Sequence, residues 1–337
     1  MDMSAIKKKC VHYSLFLLYL IVLIGVTETA MRIFFKGALE IIPADEKTLL
    51  YRYDETVGWL PVHNSFTVKA RRLIHVEHNQ RGFRDAEHVI GHHPRIVFLG
   101  DSFVWGFDVE KQERFTEKLR SKLANVSIYN LGISGYGTDQ EFLLLTRQYD
   151  FYKPDIVFLV FCTDNDHEGN SHNFIRGGGY FKPYFITEGN HLTLQGVPVP
   201  KSWRYFIKQH DILSYSCWFR LMTKLYFKYL GPPRLEVKDP TFVIIKNMDQ
   251  YVKDRGAQFI VGLQGDDPNL RQYLESSHIP FIDLSNPYIY PSHGRHWTPE
   301  GHTFVSEKIY HYLIRERHLE KKTAISRNIH SAVLRQR

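Results

Sequence analysis

The sequence predicts an α/β fold built on a parallel, doubly wound sheet of five strands, and three observations lead to it. Short, continuously apolar runs recur from Arg95 onward, as expected for strands that are buried on both faces. Amphipathic helical stretches alternate with these runs. Polar and glycine-rich segments follow three of the runs, at the carboxyl ends of strands, where such sheets bind ligands. Alternating strands and helices are typical of parallel sheets that carry helices on their faces.

Residues 1–30 are predicted to be a basic cytoplasmic stub and an uncleaved transmembrane anchor. Lys7, Lys8 and Lys9 precede an uncharged run from Cys10 to Thr27, which approaches the roughly 20 residues that span a bilayer. A cleaved signal peptide is the alternative, but Glu28 stands near a position where a small residue is expected. Because positive charge before a span keeps the N-terminus in the cytoplasm, we expect one crossing and an extracytoplasmic domain, periplasmic in a Gram-negative bacterium.

The middle of the chain divides into a lead segment and an α/β domain. Residues 31–92 are rich in turn residues and predict loops with short strands. The domain follows over residues 93–315, and 316–337 form a basic tail. The apolar runs that predict its strands are Arg95–Leu99, Ser127–Tyr129, Ile156–Phe161, Gln258–Leu263 and Phe281–Asp283.

The helices of this domain are predicted from their starting signals. Thr138 and Glu141 have the spacing of a capping box. Asp267 followed by Pro268 is typical of an N-cap with proline at the first helical position. A final helix opens at 298–300. Residues 167–240, rich in Gly, Pro and aromatic residues, interrupt the alternation, and we expect an insertion over the top of the sheet that contains an amphipathic helix near 213–230.

Composition excludes several classes of function. The net charge of +7 is partly local to the N-terminus and the tail, and no zinc-finger spacing or arginine-rich helix is present, so we expect no nucleic-acid partner. The three cysteines, Cys10, Cys162 and Cys217, predict neither a disulfide framework nor a metal site.

The candidate chemistry lies in the segments that follow the first three strands and in one that precedes the last helix. Ser102 follows the first strand, and a neighbouring base is needed to make its hydroxyl nucleophilic. His296, before the last helix, is the candidate base, with His302 as an alternative. The Ser102 N–H, the Gly135 N–H and the Asn165 side-chain amide are candidate donors to an oxyanion.

These segments together resemble the SGNH (GDSL-like) hydrolase family. The similarity is carried by Gly100-Asp101-Ser102-Phe103, by Gly135, by Asn165-Asp166 and by His296 with the Trp297–His302 segment after it. Gly58-Trp59 and residues 82–85 are similar to membrane-anchored bacterial members. The resemblance implies a flavodoxin-like α/β/α sandwich, a Ser102–His296 nucleophile–base pair, and an oxyanion hole from Ser102, Gly135 and Asn165. It also implies action on ester or acetyl groups without a metal or organic cofactor.

One position departs from the family pattern, which places an aspartate three residues before the catalytic histidine. That position is His293 here. A carboxylate normally fixes the tautomer of the base and stabilises its imidazolium form. Three readings stay open: His293 accepts the hydrogen bond, a backbone carbonyl or a distant aspartate (Asp166 or Asp283) does so, or the site is weakened.

The expected function is therefore a serine esterase that removes acyl groups, O-acetyl foremost, from cell-surface polysaccharide. An O-acetyltransferase that uses the same site is the first alternative. A non-catalytic carbohydrate-binding or assembly protein with a degenerate site is the second, and its support is His293 in place of the acid. A lipid-ester hydrolase is a weaker third reading, suggested by the aromatic insertion and the anchor.

Overall fold

The computed structural model of the chain describes residues 3–35, 51–69, 73–175, 180–291 and 294–315. These residues cluster into two compact units. The first holds the described residues of 1–49 and 201–233, and the second holds those of 50–200 and 234–337. The predicted insertion 167–240 is thus divided between the two units. His293 and the predicted basic tail 316–337 lie outside the described residues.

The elements are named in chain order. The helices are α1 (Met3–Phe34), α2 (Ser102–Trp105), α3 (Phe115–Lys122), α4 (Thr138–Tyr152), α5 (Asp166–Asn170), α6 (Trp203–Lys208), α7 (Asp211–Ser214), α8 (Cys217–Tyr229), α9 (Thr241–Lys253), α10 (Pro268–Ser276) and α11 (Pro299–Arg315). The strands are β1 (Tyr51–Asp54), β2 (Gly58–Pro61), β3 (Asn64–Lys69), β4 (Leu73–His78), β5 (Arg95–Gly100), β6 (Ser127–Asn130), β7 (Ile156–Phe161), β8 (Tyr184–Glu188), β9 (His191–Gln195), β10 (Gln258–Leu263) and β11 (Phe281–Asp283).

The second unit is built on a five-stranded sheet in the order β11-β10-β7-β5-β6. All of its strand pairs are parallel. Counted along the chain this is the order 2-1-3-4-5, which is that of flavodoxin-like folds. The predicted parallel five-stranded α/β fold is therefore confirmed, and each predicted strand lies within one residue of its observed bounds.

The two faces of the sheet carry separate cores because successive side chains of a strand point to opposite faces. On one face Phe98 and Phe158 pack in a cluster with α3 and α11, which contributes Val305 and Ile309. On the other, α4 contacts β5, and α9 contacts both β10 and α4. This double covering explains why the strands read as continuous apolar runs.

Three antiparallel hairpins complete the second unit. β1 pairs with β2, β3 with β4, and β8 with β9. The first two lie in the predicted lead segment, where turn residues separate short strands.

The first unit consists of α1 with α6, α7 and α8. Residues Lys9–Phe34 of α1 are long and apolar enough to cross a membrane, and most of this stretch is exposed, with Met31 as its buried residue. The helix predicted near 213–230 is observed as two helices, α7 and α8, because Ser216 interrupts the run and caps α8 by accepting the Phe219 N–H.

One predicted helix cap is wrong. α4 begins at Thr138, but its N-cap is Gly137 rather than the first residue of a capping box. Glu141 is turned into the protein interior, where it is almost fully buried. Its carboxylate therefore takes no part in capping the helix. The start of α10 follows the prediction, since Asp267 accepts the Leu270 N–H and Pro268 occupies the first turn.

Candidate active site

Ser102 is held by a tight turn at the carboxyl end of β5. Gly100 has a φ of 155°, and a Cβ there would lie 2.3 Å from Val104 Cγ2, so a side chain at this position would clash. Asp101 Oδ1 accepts the Phe103 N–H at 2.9 Å and caps the four-residue helix α2. The chain therefore turns sharply, and the first residue of α2 is Ser102, at the sheet edge where ligands bind in such folds.

His296 lies on the segment before α11, and aromatic rings and a glycine determine its position. Its ring centroid is 5.3 Å from that of Phe103 and 4.7 Å from that of Phe107. Gly294 has a φ of 82°, and a Cβ there would lie 2.5 Å from His296 Cε1. Trp297, the next residue, is fully buried in the core. The imidazole is thus confined on several sides.

The structure brings Ser102 and His296 into direct contact. Ser102 Oγ lies 2.9 Å from His296 Nε2, within the range in which a base can take the proton of a nucleophile. A second acceptor for the hydroxyl, Asp101 Oδ2, is farther away at 3.4 Å. The hydroxyl can donate to Nε2 if the imidazole carries its proton on Nδ1.

A carboxylate that the sequence reasoning missed occupies the Nδ1 side of the ring. Asp108 Oδ2 lies 3.2 Å from His296 Nδ1, and both side chains are mostly buried. The distant aspartates named from the sequence have other partners: Asp166 accepts the Cys162 N–H, and Asp283 binds Ser285. A distant aspartate was a correct possibility, but Asp166 and Asp283 were the wrong residues.

Asp108 reaches the ring from a loop with unusual backbone geometry. Its φ is 66°, in the left-handed region that few residues other than glycine adopt. Such conformations persist where surrounding contacts enforce them, and they concentrate at functional sites. The sequence signal was the short Gly106–Asp108 segment directly after the nucleophile turn. The family pattern points elsewhere, because it places the acid three residues before the catalytic histidine.

Arg84 of the lead segment holds the loop that carries Asp108. Its guanidinium donates to Gly106 O at 2.5 Å and to Val109 O at 2.8 Å, on either side of Asp108. The same group lies 4.6 Å from the ring centroid of Trp105. Because the guanidinium is buried, these carbonyls have lost access to water and depend on Arg84 for hydrogen bonds.

The candidate oxyanion donors lie at the ends of three neighbouring strands. Asn165 Nδ2 donates to Asp101 Oδ2 at 3.2 Å, and the Ser102 hydroxyl contacts the same oxygen. Asn165 and Gly135 also line one cavity. Gly135 has a φ of 74°, so glycine suits this turn. Shared contacts with Asp101 and with the cavity bring these predicted residues to one edge of the sheet.

The cavity beside these donors has a volume of about 370 Å³. Its lining includes the polar residues Glu168, His172 and Lys182 as well as the apolar Phe174. His172 is oriented by its Nδ1 atom, which lies 2.7 Å from Glu168 O. A cleft of this size with few, well-placed polar groups is typical of small-ligand sites.

Buried acidic side chains lie beneath this region. Glu141 and Asp166 are almost fully buried, and burial together with neighbouring carboxylates raises the pKa of both well above the usual range. Neither Glu141 carboxylate oxygen has a hydrogen-bond partner in the part of the chain that the structure describes. Asp139 forms an ion pair with buried Lys182. Burial and the neighbouring carboxylates therefore favour the neutral form of both carboxyl groups.

His302, the alternative base, belongs to the core. It is almost fully buried, and its Nδ1 accepts the Phe115 N–H at 3.3 Å. Burial and nearby cationic groups lower its pKa well below the usual value. Its ring stacks on that of Phe115 at an interplanar angle of 7°. A neutral, hydrogen-bonded packing role follows.

Comparisons with known proteins add structural likenesses only. No protein-family model and no curated protein matches the chain. Among solved structures, it is similar to a member of the lipolytic protein G-D-S-L family from Veillonella parvula, with 14% identity over 66% of this chain and 98% of that one, at a TM-score of 0.38.

Two further solved structures give similar values. A lipase/acylhydrolase from Enterococcus faecalis shares 13% identity over 65% of this chain and 94% of its own, at a TM-score of 0.36. A psychrotrophic esterase from a Pseudoalteromonas species shares 10% identity over 66% and 97%, at a TM-score of 0.37. At these values the activity of this chain has to be argued from its own geometry.

Proposed function

We propose that this chain is a serine esterase of the SGNH (GDSL-like) type, held at a membrane by a single N-terminal helix. The observation that carries the proposal is the line of contacts Asp108–His296–Ser102, with 3.2 Å and 2.9 Å between successive partners. A carboxylate, an imidazole and a hydroxyl in this order form the arrangement that activates a serine on many unrelated folds.

The proposed reaction proceeds through an acyl-enzyme. His296 Nε2 takes the proton of Ser102 Oγ as this oxygen attacks the acyl carbon of the ester. The negative charge that develops on the carbonyl oxygen is stabilised by the N–H groups of Ser102 and Gly135 and by the Asn165 amide. The intermediate collapses with cleavage of the carbon–oxygen bond of the leaving alcohol, which takes its proton from His296.

Water then hydrolyses the acyl-enzyme through the same steps in reverse order. His296 takes a proton from water, the resulting hydroxide oxygen attacks the acyl carbon, and Ser102 Oγ leaves and regains its proton. The free carboxylic acid is released. Throughout, Asp108 holds the imidazole in the Nδ1–H tautomer and stabilises the imidazolium that forms in each half-reaction.

We infer an O-acetylated sugar as the substrate, and cell-surface polysaccharide as its source. The cavity beside Asn165 is lined by Glu168 and His172, whose polar groups suit the hydroxyls of a sugar better than a long acyl chain. Phe174 offers an aromatic surface in the same cavity. An extracytoplasmic domain, expected from Lys7–Lys9 before the span, would meet surface glycans directly.

A serine-directed fluorophosphonate probe tests the nucleophile. We expect the wild-type chain to be labelled and the Ser102→Ala variant to remain unlabelled. Absence of labelling in the wild type would contradict the enzymatic proposal and favour a binding protein.

The role of Asp108 is tested by kinetics on acetyl esters. Asp108→Asn keeps the shape of the residue but favours the wrong imidazole tautomer, so we expect kcat to fall on the order of 10⁴-fold. Asp283→Asn is the matched control, since Asp283 hydrogen-bonds Ser285 away from His296, and we expect its kcat to stay near that of wild type. Equal losses in both variants would sink the assignment of Asp108.

The substrate class is tested by product analysis. We expect acetate release from acetylated polysaccharide, with little hydrolysis of long-chain esters. Transfer of the acetyl group to a glycan acceptor in place of acetate release would make the chain an acetyltransferase. Activity confined to long-chain esters would contradict the sugar proposal while leaving the serine mechanism intact.

A further inference from the structure

Helix α8 of the first unit exposes its apolar face. Trp218, Met222, Leu225, Tyr226 and Tyr229 recur at i, i+4, i+7, i+8 and i+11, a spacing that places them on one side of a helix. Their exposed fractions range from 36% to 68%. A helix on a water-soluble surface turns such a stripe inward, so this stripe has an apolar partner of some kind.

The opposite side of α8 is occupied by its own unit. Cys217 is buried against Met31 of α1, with Leu221 packed beside them. The ring of Phe206 on α6 contacts the rings of Phe219 and Phe227. The exposed stripe therefore faces away from the helices that hold α8 in place.

Contacts with α1 place the start of α8 at the end of the apolar span. Glu28 accepts the backbone N–H groups of Cys217 and Trp218 at 2.8 Å and 3.1 Å, so a carboxylate of α1 caps α8. Trp218 Nε1 donates to Thr27 Oγ1 at 2.9 Å. Thr27 ends the uncharged run that begins at Cys10.

We propose that α8, with the exposed Ile212 and Leu213 of α7, lies in the headgroup region of the same bilayer that α1 crosses, as a second, in-plane membrane contact. This inference rests on the proposed membrane anchoring. Continuity with the end of the span favours lipid as the occupant, because the stripe begins where the hydrocarbon region ends. Its composition agrees, since Trp and Tyr concentrate at membrane interfaces.

The basic side chains of α8 also agree with a lipid bilayer as the partner of the apolar stripe. Lys224 and Lys228 lie on the helix beside the stripe, and Lys228 is exposed. Long basic side chains on an interfacial helix reach the phosphates of anionic lipids while the apolar face enters the acyl boundary. In this arrangement α1 and α8 are held to each other through Glu28 and contact lipid in two directions.

A depth-sensitive fluorophore on the full-length chain tests the inference. Met222→Cys is labelled with the environment-sensitive dye NBD in a Cys10→Ser background, since Cys162 and Cys217 are buried. The protein is reconstituted into vesicles of phosphatidylethanolamine and phosphatidylglycerol that carry a nitroxide near the headgroup. We expect quenching of about twofold or more, as for a helix 5–10 Å into the interface.

Val89→Cys provides the matched control, because Val89 is an exposed apolar residue of the second unit. We expect no quenching of a label there. Quenching at 222 no greater than at 89 would overturn the inference. A 222–222 disulfide between two copies of the unlabelled Met222→Cys variant, formed in the same vesicles under mild oxidation by copper phenanthroline, would also overturn it if the labelled copies stay unquenched. Fluorophosphonate labelling of each variant checks that the second unit is folded.

The experiments distinguish a failure of the interfacial helix from a failure of the proposed membrane anchor or of the proposed esterase. Release of wild-type protein from membranes by alkaline carbonate would contradict the anchor itself. Retention in the membrane without quenching at 222 would contradict only the interfacial helix. Loss of serine labelling in the wild type would contradict only the esterase.

Discussion

Two buried carboxyl groups in the second unit, Asp85 and Glu141, have pKa values that are shifted in opposite directions. Asp85 lies between cationic partners, with Arg120 at 3.0 Å and Arg114 at 3.7 Å. These contacts and a hydrogen bond from His88 hold the pKa of Asp85 well below its usual range, although burial alone would raise it. Burial, and then the charges of Asp166, Asp101 and Asp139, raise the pKa of Glu141 well above the usual value, and within the described ranges no cation offsets them.

The comparison teaches that burial by itself does not decide the charge of a carboxyl group. Burial disfavours the ionised form at both places, and at Asp85 the hydrogen bond from His88 together with the charges of Arg120 and Arg114 reverses the outcome. Each group is also adjacent to residues on a different side of the candidate site. Arg84, next to Asp85, holds the loop of Asp108, whereas Glu141 lies near Asp101 and Asp166, which flank the oxyanion donors.

The largest expected effect comes from removing the charge of Asp85. Asp85→Asn leaves buried Arg114 with one carboxylate fewer, and breaking a buried ion pair typically costs about 3–5 kcal/mol. Chemical denaturation of the detergent-solubilised chain measures the change in the free energy of unfolding. Asp266→Asn removes an exposed partner of Arg271 and is the control, with an expected change of about 0–1 kcal/mol. A change in Asp85→Asn as small as in the control would contradict the assigned charge.

The contacts of Asp85 also determine how the stability of the folded chain changes with pH. The pKa of Asp85 is lowered on folding, so its stabilising contribution is complete above the ordinary value of about 3.9 and is lost as the pH falls below it. We expect Asp85→Asn to flatten the acid limb of the stability profile. An acid limb that is unchanged in the variant would argue against an ionised Asp85.

An intermediate effect is expected from Arg84, which acts on the site through the loop of Asp108. Arg84→Lys keeps the positive charge but cannot reach all the carbonyls that the guanidinium binds. A small displacement of Asp108 should lower kcat by about 10–100-fold with little change in KM. Arg81→Lys is the matched control, because Arg81 lies over the Phe151 ring at the surface. Equal kcat in both variants would remove the positioning role of Arg84.

The smallest effect is expected from substitution of Glu141, whose contribution to stability changes with pH in the direction opposite to that of Asp85. Its pKa is raised on folding, so its contribution is complete below the ordinary value of about 4.3 and is lost as the pH rises toward the raised value. Glu141→Gln mimics the protonated form. We expect it to be close to wild type at pH 5 and more stable than wild type at pH 9, by about 1 kcal/mol or more.

Thermal unfolding at the two pH values measures this difference. Glu275→Gln, at an exposed position of α10, is the control and should show no such change between pH 5 and pH 9. A Glu141→Gln variant that is destabilised equally at both values would show that the carboxylate is ionised in the folded chain.

Local patterns predicted much of the fold and some of the candidate site. The five strands follow from continuous apolar runs because a strand covered on both faces has no polar side to interrupt it. The positions of Ser102, Gly135 and Asn165 follow from the same reasoning, since parallel strands end at one edge. The capping box at Thr138 failed because the N-cap is Gly137, one residue earlier, so Gln140 and not Glu141 accepts the N-cap N–H. Glu141 is instead buried among neighbours that are distant in sequence.

By itself, the sequence determined the class of the sheet, the strands, the apolar N-terminal helix and the segments in which a nucleophile, a base and amide donors could meet. Only the tertiary structure decided that Asp108 lies at His296 Nδ1, that Glu141 is buried beside other carboxylates, and that α8 presents its apolar face outward. The physical reason is how far apart in the sequence the interacting residues lie. Strand and helix patterns arise from neighbours a few residues apart, whereas a partner for an imidazole or a carboxylate is set by contacts between segments that the chain brings together only when it folds.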